Sequence, residues 1–444
     1  MSVAAPFTLP NGQAFKNRSA KAAMTEGLAG KDGMPTAGHE ALYRRWAHGG
    51  CGLLITGNVI IDRQHLERPG NVIVDGPLSP DAKAAWARWA AAATESGTQA
   101  WVQISHAGRQ TQKIVNPQPK APSAVKLALP GGQFGTPVPL TEREILDLID
   151  RFAHATTVAR DAGFTGVQVH AAHGYLLSQF LSPLANQRSD QWGGSLENRA
   201  RFLTETIKAV RAAVGSDFTV AVKLNSADFQ KGGFAFEDCL TVTGWLADLG
   251  VDCLEISGGT YEQPAMMDMD GLTPREEPRQ SSTRAREAYF VQLAKALLSA
   301  NSPQVSADGG RLRTPQVSAD GGRLRTPPLM VTGGFRTLAA MDDAVASGIA
   351  LIGIGRPLCA EPDCVADLLA GASEELPRFE ANLSIGPGWL GPASPIKLMR
   401  TLNGFAAQAW YYQQLRRIAV DGKAEKLNPW KAFLAEQREN KARL

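Results

Sequence analysis

Two histidines and a tyrosine, His170, His173 and Tyr175, cluster at the end of an apolar run, Gly166 to His170, broken only by Gln168. Imidazole N–H groups can hold an oxygen on which negative charge develops, and a phenol can hand a proton to a nearby atom. Donors grouped where a buried strand leaves the core belong at the mouth of a barrel, where loops build sites. The histidines have three readings: satisfied polar residues at a strand end, half of a metal site, or an oxygen clamp. No third ligand stands out near the H-x-x-H spacing, so no metal is expected. Tyr175 is either packing on its loop or a proton donor, and the paired histidines favour the donor.

A second chemistry lies further along. A phosphate is held by backbone N–H groups, a helix N-terminus and preferably a guanidinium. Gly333, Gly334, Phe335 and Arg336 follow one apolar run, and Gly353, Gly355 and Arg356 end the next. Glycines after strands are often only turn residues, and for either run alone that is the plainer reading. Together, after the last two strands, they favour a phosphate site. Lys223 closes another apolar run, Val220–Leu224. Because a buried unpaired charge is costly, it either pairs with a carboxylate such as Glu255 or faces a ligand.

These groups need a frame. Apolar runs at Ser19–Ala23, Gly52–Thr56, Ala100–Ile104, Gly166–His170, Val220–Leu224, Cys253–Ser257, Leu329–Thr332 and Ala350–Ile354 alternate with amphipathic segments. That rhythm predicts eight parallel strands with intervening helices, an α/β (β/α)8 TIM barrel. The first run is the weakest, since Lys21 interrupts it. Thr141 to Glu144 reads as a capping box, Ser195 and Ser79 as further helix caps, and a helix is expected from about Leu338 to Ser347. The stretch from His106 to Leu140, rich in Pro and Gly, is a long connection between the third strand and its helix, where substrate pockets are shaped. Met266, Met267 and Met269, after the sixth strand, could line the same pocket or simply pack. The barrel is assigned to residues 1–375 and a helical C-terminal extension to 376–444, with one helix at Ala406–Val420. Pro303–Thr314 is repeated unchanged as Pro315–Thr326. One tandem copy does not make a solenoid, and an exposed excursion before the seventh strand is expected.

Composition removes several classes. A net charge of +3 with no long basic tract gives no support for nucleic acid or membrane-surface binding. Five scattered cysteines without a C-x-x-C argue against a disulfide framework, structural zinc or a clustered iron–sulfur site. No signal-peptide pattern or membrane-length apolar run is present, so a cytoplasmic enzyme is expected. No G-x-G-x-x-G follows a strand, because Leu358 stands where the third glycine is needed. A separate nicotinamide-binding domain is therefore not indicated.

The segment from Gly163 to Arg201, with HAAHGY at its centre, closely resembles the signature of the old yellow enzyme family. These are NADH:flavin oxidoreductases that carry FMN in a (β/α)8 barrel. The resemblance extends over roughly Pro6 to Asp363. It implies that His170 and His173 hold a substrate oxygen and that Tyr175 donates a proton. It implies FMN contacts from the segment ending in Met24 and Thr25, although Ala23 departs from the proline often found there. It further places Asn58, Gln103 and Lys223 along the flavin ring, with lysine where relatives often carry arginine. The glycines and arginines at Gly333–Arg336, Gly355 and Arg356 would hold the FMN phosphate. The implied activity is reduction by NAD(P)H of the activated C=C bond of small α,β-unsaturated carbonyl or nitro compounds. The alternatives are a flavin oxidase or dehydrogenase using oxygen or another acceptor, and an FMN-binding barrel without turnover. Substrate identity, NADH or NADPH preference and oligomeric state are not fixed by these residues.

Overall fold

Buried hydrogen-bonding strands are stable only when every edge is paired, and eight short strands achieve this by closing into a ring. The computed structural model describes residues 1–129, 132–262, 283–300 and 326–443. Its barrel strands are β1 (Ser19–Lys21), β2 (Leu53–Ile60), β3 (Gln99–Ser105), β4 (Gly166–Ala171), β5 (Thr219–Asn225), β6 (Cys253–Ser257), β7 (Leu329–Thr332) and β8 (Leu351–Ile354). Each pairs in parallel with its neighbours in sequence order. β8 returns to β1 through Ile352 opposite Ser19, which closes the barrel.

The weakest expected strand is real but shorter than anticipated. Lys21 is fully buried in β1 because its ammonium has partners: it donates to the carbonyls of Ile55 (2.6 Å) and Ala22 (3.2 Å). It also lies 4.4 Å from the centre of the Trp46 ring. Burial still pulls its pKa down to about 8, with Glu26 acting in the opposite direction. β2 runs further than its apolar stretch because a bulge between Ile55 and Asn58 carries the chain past Gly57. A Cβ on Gly57 would lie 2.6 Å from the Thr25 Cα, so only glycine admits the chain after β1 at this point.

The helices that follow the strands are α1 (Ala37–His48), α2 (Pro80–Thr94), α3 (Glu142–Ala162), α4 (Leu196–Val214), α5 (Phe236–Asp248), α6 (Thr283–Ala300), α7 (Leu338–Ala346) and α8 (Cys364–Leu369). The expected capping box opens α3: Glu144 N–H donates to Thr141 Oγ1 (3.3 Å) and Thr141 N–H to Glu144 Oε2 (2.8 Å). Ser195 and Ser79 accept from backbone N–H groups in the first turns of α4 and α2. Apolar faces such as Ile145, Leu148, Ile149 and Phe152 of α3 pack on the strands in one continuous core.

After α8 the chain forms two helices, α9 (Lys397–Asp421) and α10 (Pro429–Arg443). α9 is longer than expected, and α10 was not anticipated, because its exposed faces are strongly polar. Both lie against the barrel. Glu436 of α10 pairs with Arg68, from the loop after β2, and with Arg416 of α9 (2.8 Å). The Arg68 guanidinium also stacks 3.6 Å above the Tyr412 ring. Among the described residues no helix is long and apolar enough to cross a membrane. The methionines at 266, 267 and 269 and the duplicated segment 303–326 lie outside the described residues, except for Thr326.

Candidate functional site

The site grows from the end of β4. His170 is the penultimate residue of that strand and only 3% exposed. The backbone N–H of Ala172 donates to its Nδ1 (3.1 Å), so the neutral ring carries its proton on Nε2. Burial, with help from the charges of His173 and Lys223, holds its pKa well below the ordinary histidine value. His170 is therefore a neutral N–H donor.

Beyond the strand the chain turns sharply, with His173 at φ +60° and Gly174 at φ +76°. A non-glycine residue in this region needs outside support. Asn225, at the end of β5, supplies it by accepting the His173 N–H through Oδ1 (3.0 Å). The imidazole is fixed through Nε2 to Ser257 Oγ, at the end of β6, at 2.6 Å. In the tautomer in which Ser257 donates, Nδ1 carries the proton and is left to an incoming oxygen. Burial and then Lys223 push the His173 pKa well down as well.

Tyr175 caps the short helix Leu176–Leu181, and its ring meets His170 edge-on at 4.8 Å. Its hydroxyl shares a hydrogen bond of 2.9 Å with Tyr261, from the loop after β6. Burial, and next the Tyr261 group, raise its pKa well above the ordinary phenol value, so it is a held proton source. The structure thus brings His170, His173 and Tyr175 together at the C-terminal mouth of the barrel, as their spacing predicted. Tyr261, Ser257 and Asn225 were missed, because a single tyrosine, serine or asparagine carries no spacing signal.

Below this triad a polar chain crosses the barrel. Gln103 on β3 donates to Gln168 on β4 (2.6 Å), and Gln168 donates to Glu255 on β6 (2.8 Å). Glu255 also receives Lys223 from β5 (2.9 Å) and Thr332 from β7 (2.6 Å). Lys223 therefore has the carboxylate partner that was one of its two readings. It also sits opposite His170 in the strand register, where its charge reaches both imidazoles.

At the edge formed by β1 and β2, Met24 and Thr25 lie half-buried alongside Gly57 and Asn58. Met24 Sδ touches Cys359 Sγ at 3.3 Å. The Thr25 hydroxyl is turned to Glu67 (2.9 Å). Asn58 Oδ1 is buried without a partner.

On the far side, Gly333 (φ +140°) and Gly334 (φ +70°) make the turn after β7 that only glycine makes easily. Phe335 differs from the expectation of a ligand contact: its ring is in the core, and only its backbone is available. Arg336 is 4% exposed and donates to Glu380 Oε1 (2.7 Å) and to the Phe335 carbonyl (3.0 Å), while its Nε has no partner. Arg356 approaches the same Glu380 oxygen at 3.9 Å, and Gly355 beside it leaves room. The orphaned acceptor at Asn58 and the orphaned donor at Arg336 suit one ligand with ring N–H groups at one end and a phosphate at the other. FMN has that character.

One further cluster has metal-ligand chemistry. Asp62, His65 and His106 bring three ligand-type atoms within 4.8 Å of one another. The two imidazoles, however, stack at 4.5 Å with planes 26° apart. Lone pairs lie in the ring plane, so stacked rings do not aim at one ion. His65 Nδ1 is bonded to Asp62 (2.8 Å), and its Nε2 accepts the Lys120 N–H (2.8 Å). The cluster pins the loops after β2 and β3.

The chain is similar in sequence and in fold to known proteins. The profile of the NADH:flavin oxidoreductase / NADH oxidase family matches residues 2–302. An NADH-dependent flavin oxidoreductase of Hypocrea jecorina is 36% identical over 382 residues, covering 80% of this chain and 86% of its own length. One from Neonectria sp. is 36% identical over 374 residues, and there the chain spans only 45% of the relative. An old yellow enzyme homologue from Zymomonas mobilis superposes with a TM-score of 0.64 at 25% identity, covering 86% of this chain and 96% of that one. The chain belongs to the NADH:flavin oxidoreductase family, FMN-dependent (β/α)8 barrels of the old yellow enzyme type that take reducing equivalents from NAD(P)H.

Proposed function

We propose that the chain reduces the activated C=C bond of small α,β-unsaturated carbonyl or nitro compounds. The observation that carries this reading is the pairing of a neutral, buried Nε2–H on His170 with a protonated phenol 4.8 Å away, ring centre to ring centre. Bound FMN would supply the two-electron redox chemistry that links NAD(P)H to the alkene. Asn58, Gln103, Lys223 and the Met24–Thr25 segment would face its ring. The backbone from Gly333 to Phe335, with Arg336, Gly355 and Arg356, would hold its phosphate.

The remaining work falls to the protein. His170 Nε2–H, with His173 Nδ1–H in the tautomer in which Ser257 donates, would hold the acceptor oxygen and draw charge onto it. Two neutral donors suit this task, since they need no reorganisation as the charge develops. Tyr175 gives its proton to the carbon next to the carbonyl or nitro group. Tyr261, 2.9 Å away, then stabilises the phenolate left behind. Arg109 and Glu262 (2.8 Å) fasten the loop after β3 to the loop after β6 and so fix Tyr261 over the site.

The test is Tyr175→Phe, followed by stopped flow. Reduction of the bound flavin by NADH should be unchanged, while reoxidation by cyclohexenone slows by roughly 10²–10⁴-fold, the usual span of a general acid. Equal loss in both half-reactions would make Tyr175 structural and remove the assignment. Rapid reoxidation by oxygen with none by any enone or nitroalkene would favour an oxidase.

A further inference from the structure

The proposed chemistry leaves one carboxyl at the flavin edge without a task. Glu67 lies in the loop after β2, half-buried, and its Oε2 accepts the Thr25 hydroxyl (2.9 Å) and the Asn71 amide (3.4 Å). Asn71 in turn donates to the Asn58 carbonyl (3.2 Å), and the Asn58 side chain also bonds to Glu67. Glu67 is thus the hub of a small network with Asn71, Thr25 and Asn58, the last two being residues proposed to face the polar edge of the ring.

The titratable and charged groups facing it are Arg68, Tyr412 of α9, and the site tyrosines Tyr175 and Tyr261. Arg68 is taken up by Glu436 and the Tyr412 ring, and the three tyrosines are neutral at ordinary pH. Burial therefore outweighs Arg68 and pushes the Glu67 carboxyl up from its usual range.

A threonine hydroxyl has one proton to give. When Glu67 is ionised, that proton is committed to Glu67. When Glu67 is protonated, the carboxylic acid can donate to Thr25 Oγ1, and the hydroxyl is released to donate elsewhere. We propose that Glu67 is a positioning residue that sets whether Thr25 donates to the flavin, and that it takes up a proton from solvent when the flavin is reduced. The second part follows from charge: two-electron reduction makes the neighbouring ring more negative, which favours the neutral form of a nearby carboxyl. The proton that Glu67 gains comes from water and returns to it on reoxidation, so the overall reaction is unaltered. The proposal rests on the reading that Thr25 lies at the flavin edge.

The experiment measures the midpoint potential and visible spectrum of FMN-loaded protein across pH, for the wild type, Glu67→Gln, Glu67→Asp and Thr25→Ala. FMN content is checked in each. Wild type should show a segment of steeper pH dependence, corresponding to one additional proton per two electrons, together with a flavin spectral shift of the same pH midpoint. Glu67→Gln should lose both and have a higher potential on the alkaline side, where it lacks the negative charge. Glu67→Asp should restore the steep segment. Thr25→Ala should abolish the spectral shift and keep the steep segment, which needs only charge. Identical pH profiles in wild type and Glu67→Gln would overturn the proposal. A bound-flavin spectrum untouched by Thr25→Ala would instead remove Thr25 from the flavin edge, and with it the reading beneath the proposal.

Discussion

Mild acid should destabilise this barrel well before its carboxylates are protonated. Three buried histidines accept a backbone N–H on Nδ1: His39 from Thr36 (3.1 Å), His106 from Gly108 (3.0 Å) and His170 from Ala172 (3.1 Å). A protonated imidazole has no acceptor, so charging any of them breaks a hydrogen bond and leaves a buried cation. Burial accordingly lowers the pKa of His39 to about 3 and of His106 to about 4. In the unfolded chain both return to about 6.5. Their contribution to stability is thus complete above the unfolded value and is lost as pH falls through it towards the folded values. Per histidine the loss is about 1.4 kcal/mol for each pH unit below 6.5. Between about pH 7.5 and about pH 5.5 the pair therefore costs about 3 kcal/mol, with His170 and His173 adding in the same direction. That is a large share of the 5–15 kcal/mol typical of a folded protein. Urea midpoints of FMN-saturated protein at several pH values would measure it. The combined His39→Asn and His106→Asn variant should lower the pH slope by about two protons' worth. A midpoint that stays flat down to about pH 5.5 would refute the reasoning, since it would mean the folded state takes up protons as readily as the unfolded chain.

Three other outcomes are expected. Gly353→Ala should cost roughly 1–3 kcal/mol in urea unfolding, because its Cβ would fall 1.9 Å from Thr332 Oγ1 and push that hydroxyl off Glu255. Glu436→Ala, which strands the buried guanidinium groups of Arg68 and Arg416, should cost roughly 3–5 kcal/mol and expose α9 and α10 to trypsin. Deleting Pro303–Thr314 should preserve FMN content and turnover, since Pro315–Thr326 repeats the same twelve residues and changing the length of a connection costs only about 0.6 kcal/mol per doubling; loss of flavin would show that the repeat supports the barrel.

What could be read from the sequence follows from how each feature is encoded. Strands β4 to β8 were legible because buried parallel strands are written as contiguous apolar runs, and the caps of α3 and α4 because a hydroxyl before a helix has a local role. β1 was nearly lost to Lys21, whose partners, Ile55 and the Trp46 ring, come from elsewhere in the chain. The end of β2 was hidden by its bulge at Gly57. His170, His173 and Tyr175 stood out because they share one short motif. Tyr261, Ser257, Asn225 and Glu67 did not, since each meets its partner only after the barrel brings distant loops together. α10 was missed because the side it buries rests on Glu436 and small residues such as Ala432, which leave no apolar period.

The polar chain from Gln103 through Gln168 to Glu255, with Lys223 and Thr332 attached, also constrains how such a protein can change over time. Replacing any one member leaves another with an unmet hydrogen bond in a dry interior, so the intermediate is worse than either end point. The members lie on five strands, β3 to β7, and must drift as a set. A gene chimera that crosses over between β3 and β7 would split the network wherever the other parent carries a different set. Crossovers before β3 or after β7 would carry the set intact whatever the other parent holds at these five positions.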